Sequence, residues 1–256
     1  MTGPLAGRRV LITRPSEQAQ ALARLVREAG GEPVCVPAIE ILPLDNPAAF
    51  HALAARLAEF DLAIFISRNA VRRALDLMGG KPWPAGLKVA TIGQGSREEL
   101  EQRGFTNVIA PAGAPARSDS EALLALPALA GVRGSRIVIF RGEGGRELLG
   151  QELAARGASV EHAACYRRAM PAAAGMRDAW AGGVDAVTVS SAEGLGNLLA
   201  MLGEDAVCRL SGVPLFVPHA RVAAEAQRRG LERAIVASPG DADMVAALVA
   251  HFGAAR

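Results

Sequence analysis

One unit of chain is written twice in this sequence, and that repetition limits the fold more than any other feature. RRVLITRP…LARLVREAGGEPV returns as SRIVIFRG…LGQELAARGASV 127 positions on, from 9 to 136. The register carries Arg14 onto Arg141, Leu22 onto Leu149, Val26 onto Leu153 and Gly30 onto Gly157. A second pair, DLAIFISRNAVRRALDLM and DAVTVSSAEGLGNLLAML, lies 124 positions apart, from 61 to 185. It sets Ser67 on Ser191, Val71 on Leu195 and Leu75 on Leu199. A looser third pair is KVATIGQGSREELEQRGF and PLFVPHARVAAEAQRRGL. Two copies of a unit of roughly 125 residues follow, each long enough for about five strands with helices on both faces. The 256 residues suit two domains of ordinary size.

Short β-branched runs alternate with amphipathic stretches, the pattern of an α/β protein with parallel sheets. The strands expected are RRVLIT, EPVCVP, DLAIFIS, KVATIG, NVIAP, RIVIF, SVEHAACY, DAVTVSS, PLFVP and RAIVAS. In the first helix Leu22, Leu25, Val26 and Ala29 share a face, and Gly30-Gly31 stops it. Each copy could fold on its own half of the chain, or the copies could exchange their first strand and helix. The crossing segments would be Pro37–Leu44 and Cys165–Pro171, both extended and bounded by proline. Side by side they would make a narrow ribbon. The pattern alone leaves both arrangements open.

Half the residues are hydrophobic and 21% are charged, the balance of a globular chain with a real core. A formal charge of +2 with no Lys/Arg block gives no reason to expect nucleic acid. Cys35, Cys165 and Cys208 lie far apart without CxxC spacing, so buried, reduced thiols are expected rather than a metal knuckle. The N-terminus lacks the apolar region of an export signal, and no stretch reaches the ~18 apolar residues of a membrane span. A cytoplasmic location without membrane contact is expected.

In open parallel sheets a ligand lies beyond the carboxyl ends of the strands. The residues there are Thr13-Arg14-Pro15, Ser67-Arg68-Asn69, Gly93-Gln94-Gly95-Ser96, Arg141 to Arg146, Ser190-Ser191-Ala192 and Pro218-His219-Ala220-Arg221. Small, hydroxyl and glycine residues prevail, with arginines among them. Each turn opens a helix whose first N–H groups are unsatisfied and whose dipole favours anions. Arginine, which outnumbers lysine, holds carboxylates in a bidentate fork. A ligand bearing several carboxylates or phosphates would suit such turns.

The spacing lacks a nucleotide-binding loop. The dinucleotide fingerprint needs a third glycine where RGEGGREL has Glu147 and where GQGSRE has Glu98. No G-x-x-x-x-G-K-[ST] occurs. His51, His162, His219 and His251 are scattered, without carboxylate or cysteine neighbours at ligand spacing. There is no G-x-S-x-G elbow, and SREELE reads as a solvated helix face rather than a pair of catalytic acids. A chain so equipped would work by positioning and by stabilising charge.

VLITRP, IFISRNAV, VATIGQGS, SDSEALL, RGEGGRELL, CYRR, VTVSSAEGL and FVPHARVAAEA, in this order from residue 10 to about 226, resemble the uroporphyrinogen-III synthase family. The closing ASPGDADMVAAL is similar as well. The resemblance implies two flavodoxin-like parallel-sheet domains with helices on both faces, joined by a two-stranded extended linker. It places 1–37 with 172–256 in a discontinuous first domain, 43–164 in the second, and 38–42 with 165–171 in the linkers. It implies a monomer without cofactor or metal, acting on the linear tetrapyrrole hydroxymethylbilane. Ring A would lose its hydroxyl as water, and ring D would close through a spiro intermediate and re-form inverted.

Carried over residue by residue, the resemblance sets Tyr166, the sole tyrosine, on the inter-lobe strand, where its hydroxyl could assist the departing oxygen. The plain alternative is a half-buried linker tyrosine with its hydroxyl in water. Ser67, Ser96 and Ser191 match hydroxyls of the family's binding loops and equally suit helix capping. Arg14, Gly93, Ser190, Arg141 and Arg146 complete the expected substrate contacts, the arginines as propionate clamps or as surface ion pairs. His219 and Arg221 stand where some members carry paired threonines, which leaves a carboxylate role to Arg221. A non-catalytic two-lobed binding module is the competing reading, and a nicotinamide enzyme a weaker one.

Overall fold

The computed structural model describes residues 3–111, 120–145, 147–238 and 240–253. The chain divides into two compact units, residues 1–40 with 169–256, and residues 41–168. Unit 1 begins with β1 (Arg9–Ile12), α1 (Ser16–Glu28) and β2 (Glu32–Cys35). Unit 2 follows, entered through β3 (Glu40–Leu42). It holds α2 (Ala48–Ala54), β4 (Leu62–Phe65), α3 (Arg68–Met78), β5 (Lys88–Thr91), α4 (Gln94–Gln102), α5 (Ser120–Leu124), β6 (Arg136–Gly142) and α6 (Leu148–Ala155). The chain leaves it along β7 (Ser159–Ala169). Unit 1 then resumes with α7 (Ala174–Ala181), β8 (Ala186–Thr188), α8 (Ala192–Leu202) and α9 (Ala206–Ser211). It ends with β9 (Leu215–Val217), α10 (Ala220–Arg228), β10 (Ala234–Val236) and α11 (Asp241–Gly253).

Unit 1 carries a parallel sheet in the order β10-β9-β8-β1-β2. Its first strand pairs with a strand from the far end of the sequence, Val10 opposite Ala186. Counted within the unit this is the flavodoxin-like order. The second sheet, β3-β7-β6-β4-β5, repeats it. There β6 and β7 take the places of β1 and β2, and β4 and β5 those of β8 and β9. The counterpart of β10, expected as the strand NVIAP, is reduced to one bridge between Ile109 and Ala90. β3, without counterpart in unit 1, lies outside β7, so the extended entry segment runs beside the exit strand.

Strand residues alternate between two apolar layers in each unit, as a sheet covered on both faces requires. Leu11, Val187 and Val217 face α8 and α10, while Val10, Ile12 and Phe216 face α1 and α11. In unit 2, Phe65 and Phe140 lie on the α3 side, with rings stacked at 4.7 Å. Ile64, Ile137 and Ile139 face α6 on the other side. Gly30 and its twin Gly157 end their helices with φ of 87° and 88°. The next N–H returns to the helix in both, Gly31 to Val26 and Ala158 to Leu153. The left-handed backbone explains the glycine at each place.

The thiols differ from expectation. Only Cys165 is buried, donating to the Arg141 carbonyl, while Cys35 and Cys208 are exposed. Burial pushes the Cys165 thiol up to about 12. Among the described residues no helix is long and apolar enough to cross a membrane.

Candidate active site

Because β4 to β7 run parallel in unit 2, as do all five strands of unit 1, the six turns singled out above lie at the carboxyl edge of their own sheet. In unit 2, Ser67 adopts an extended backbone and caps α3, its Oγ accepting the Ala70 N–H at 3.0 Å. The Tyr166 hydroxyl lies 3.3 Å from the same Oγ. Tyr166 is neither exposed nor on a free connector. It belongs to β7, is 4% exposed, and its ring packs in the core with Phe65 and Phe140. Both strands run past the expected RIVIF and SVEHAACY, to Gly142 and Ala169, and a bulge between Arg141 and Gly142 sets Gly142 opposite Tyr166. A Cβ on Gly142 would lie 2.6 Å from Tyr166 Cε2, so no other residue leaves the ring this seat. The Glu143 N–H then donates to the Tyr166 carbonyl at 2.8 Å.

The other expected contacts divide. Gly93, with extended backbone, occupies the cap position of α4. Ser96 lies inside that helix, buried, so it is not a cap. Gly95 makes room for the Arg68 guanidinium, which reaches Glu98 at 3.4 Å. SREELE is only partly a solvated face, since Glu99 is 8% exposed and bonds Arg72 at 2.7 Å.

Arg141 is not a surface clamp. It is 5% exposed, with one Nη 2.8 Å from Glu147 and the other bonded to the Gly144 carbonyl. Its buried Nε has no hydrogen-bond partner among the described residues. The arginine thus braces the glycine turn from beneath. Glu147 also stands 3.8 Å from His162 Nε2, a carboxylate neighbour that spacing along the chain does not reveal. Burial, and then Arg141, hold the His162 pKa below its ordinary value, against the raising effect of Glu147. Arg168, missed by sequence reasoning although CYRR was noted, donates to the Glu143 carbonyl at 3.3 Å. Its only sequence signal is its place two residues beyond Tyr166. Arg146 lies outside the described residues, as do the first two residues of SDSEALL.

In unit 1, Ser191 caps α8 as its twin caps α3, accepting the Gly194 N–H at 3.0 Å. Ser190 beside it is half-buried. Arg14 is ion-paired with Asp241 at the start of α11. His219 occupies the cap position of α10 without a side-chain cap bond, and Arg221 in the first turn is exposed.

A hollow of about 600 Å³ lies elsewhere, beside the start of β5, lined by Trp83, Lys88, Arg103 and Phe105. Trp83 Nε1 is bonded to the Leu87 carbonyl and Arg103 to Asp76, so these two polar groups are already engaged. Among the described residues no cluster of three His, Cys, Asp or Glu could hold a metal ion.

Fold and turns together define a duplicated, doubly wound α/β protein with anion-favouring helix starts at each carboxyl edge and a part-buried contact between the Ser67 and Tyr166 hydroxyls. The family model described as uroporphyrinogen-III synthase HemD matches residues 20–246. The uroporphyrinogen-III synthase of Salmonella typhimurium is 35% identical over 197 residues, 75% of this chain and 79% of that protein. The Escherichia coli enzyme of the same name is 34% identical over 161 residues, 62% of this chain and 64% of its own. This chain belongs to the uroporphyrinogen-III synthase family. In fold it is similar to a mutant uroporphyrinogen III synthase of Thermus thermophilus, with a TM-score of 0.64 at 18% identity over 98% of this chain and 100% of that one. The enzyme of Helicobacter pylori aligns with a TM-score of 0.62 at 13% identity, over 95% and 99%.

Proposed function

We infer that the chain is a uroporphyrinogen-III synthase, a lyase that cyclises hydroxymethylbilane with loss of water and inversion of ring D. The observation that carries this reading beyond family membership is the Tyr166 hydroxyl, held 3.3 Å from Ser67 Oγ at the carboxyl edge of its sheet. Such a hydroxyl can donate to the oxygen leaving ring A, acting as a general acid or orienting donor. The cation left behind is favoured by neighbouring carbonyls and by the substrate's own carboxylates. Holding the two ends of a flexible chain together can lower a barrier by roughly 7–11 kcal/mol in favourable systems. Folding the substrate is therefore the larger part of the task.

The acetate and propionate groups would be read by helix starts in preference to arginine forks. Ser67, Gly93, Ser96, Ser190, Ser191 and His219 lie at or within the first turn after a strand, where N–H groups face outward. Arg221, exposed in the first turn of α10, is suited to direct contact. Arg14 and Arg141 act through the turns they brace, because their guanidinium groups are engaged with Asp241 and Glu147. A monomer working in the cytoplasm without cofactor fits this chemistry, in which no electron is transferred.

The test is to supply fresh hydroxymethylbilane with no added cofactor, oxidise the product and separate the porphyrin isomers. Isomer III in excess is expected. Isomer I alone, the product of uninverted closure, would reduce the chain to a binding module.

A further inference from the structure

We propose that Ser67 is a positioning residue, fixing the Tyr166 hydroxyl, with Gly142 as the seat of the ring. The proposal rests on the reading of Tyr166 given above. The internal duplication supplies the argument, because it shows what the fold needs without the tyrosine. Ser191 stands 124 positions after Ser67 and makes the same cap, its Oγ accepting the Gly194 N–H at 3.0 Å where Ser67 accepts that of Ala70 at 3.0 Å. The counterpart of Tyr166, 127 positions earlier by the register of the first repeat, is Ile39. It too is buried, at 7%, and a Cβ on Gly194 would meet its Cδ1 at 3.6 Å and Ser191 Oγ at 3.3 Å. One unit therefore closes this corner with an apolar side chain against the capping serine. The other closes it with a phenol.

The hydroxyl contact is thus an addition to the shared template rather than a demand of the fold. Serine suits the role chemically. Its oxygen has two acceptor sites and one donor. Capping uses one acceptor, which pins the Oγ to the helix start, and the remaining capacity faces the phenol at 3.3 Å. The ring has little freedom to escape. Its hydroxyl is tied to Ser67, its edge lies against Gly142 where no Cβ fits, and Phe65 and Phe140 share its core. A buried phenol with one fixed partner keeps its O–H direction without reorganising when the reaction begins.

The experiment is a double-mutant cycle on Ser67→Ala and Tyr166→Phe, read as kcat and KM separately, with thermal melting beside it. Ser67→Ala should lower kcat by about ten-fold with KM nearly unchanged, the order that one hydrogen bond commands. Ser67→Thr, which keeps cap and hydroxyl, should restore kcat. In the Tyr166→Phe background, Ser67→Ala should change kcat by less than about two-fold, because its effect passes through the missing hydroxyl. Ser67→Gly, which a helix cap tolerates better than alanine, replaces alanine if that variant folds poorly. Multiplying losses in the double variant would overturn the proposal while leaving the role of Tyr166 intact. An unchanged kcat for Tyr166→Phe would overturn both.

Discussion

Gly142 has to be glycine for a reason that lies in another strand. Its α-hydrogen faces the Tyr166 ring, and a methyl there would come within 2.6 Å of Cε2. Gly142→Ala must displace the ring, with an overpacking cost of about 1–3 kcal/mol. The expected result is a kcat loss of at least about ten-fold, separable by urea titration from the modest loss of stability. His162 gives a second test at this scale. The fold lowers its pKa from the ordinary 6.5, mainly by burial and next by the Arg141 charge, with Glu147 opposing. The unfolded chain therefore takes up the proton first as pH falls. Stability should be flat above about pH 6.5 and decline below it, gently because the ring is partly exposed. His162→Gln should remove that slope between urea midpoints taken at about pH 7.5 and pH 5.5. An identical slope in the variant would assign it to other groups.

At the scale of elements, the parallel strands and their helices were legible because a strand covered on both faces is apolar throughout and each helix shows one apolar stripe. The repeat made them doubly so, since Gly30 and Gly157 mark the same helix end twice. NVIAP was legible as a strand yet survives as one bridge, because pairing depends on how much neighbouring edge is offered. Tyr166 was legible as a strand residue, but its burial was not, because the bulge between Arg141 and Gly142 that sets it opposite β6 leaves no local pattern. Arg141 and Arg14 showed as cations, while their acidic partners Glu147 and Asp241 lie in other elements and no local pattern pairs them. The capping serines, in contrast, are local chemistry and were read as candidates from their position alone. Ser191→Ala should cost about 1 kcal/mol in chemical denaturation by freeing the Gly194 N–H. A cost near zero would show that water replaces the cap.

For the molecule as a whole, the duplicated units are alike in strand order and helix starts, and they differ where one puts Tyr166 and the other Ile39. Under the proposed function an anionic substrate would be read by the carboxyl edges, and the chemistry would fall to the unit that carries the phenol. The hollow beside Trp83 and Phe105 is lined by none of the turn residues of unit 2. Backbone amide shifts on titration with the oxidised product, uroporphyrin III, distinguish the two regions directly. Perturbations should concentrate at residues 67–69, 93–96 and 142–145 of unit 2 and at the corresponding turns of unit 1. Shifts gathered instead around Trp83, Arg103 and Phe105, with the turns silent, would contradict a carboxyl-edge site.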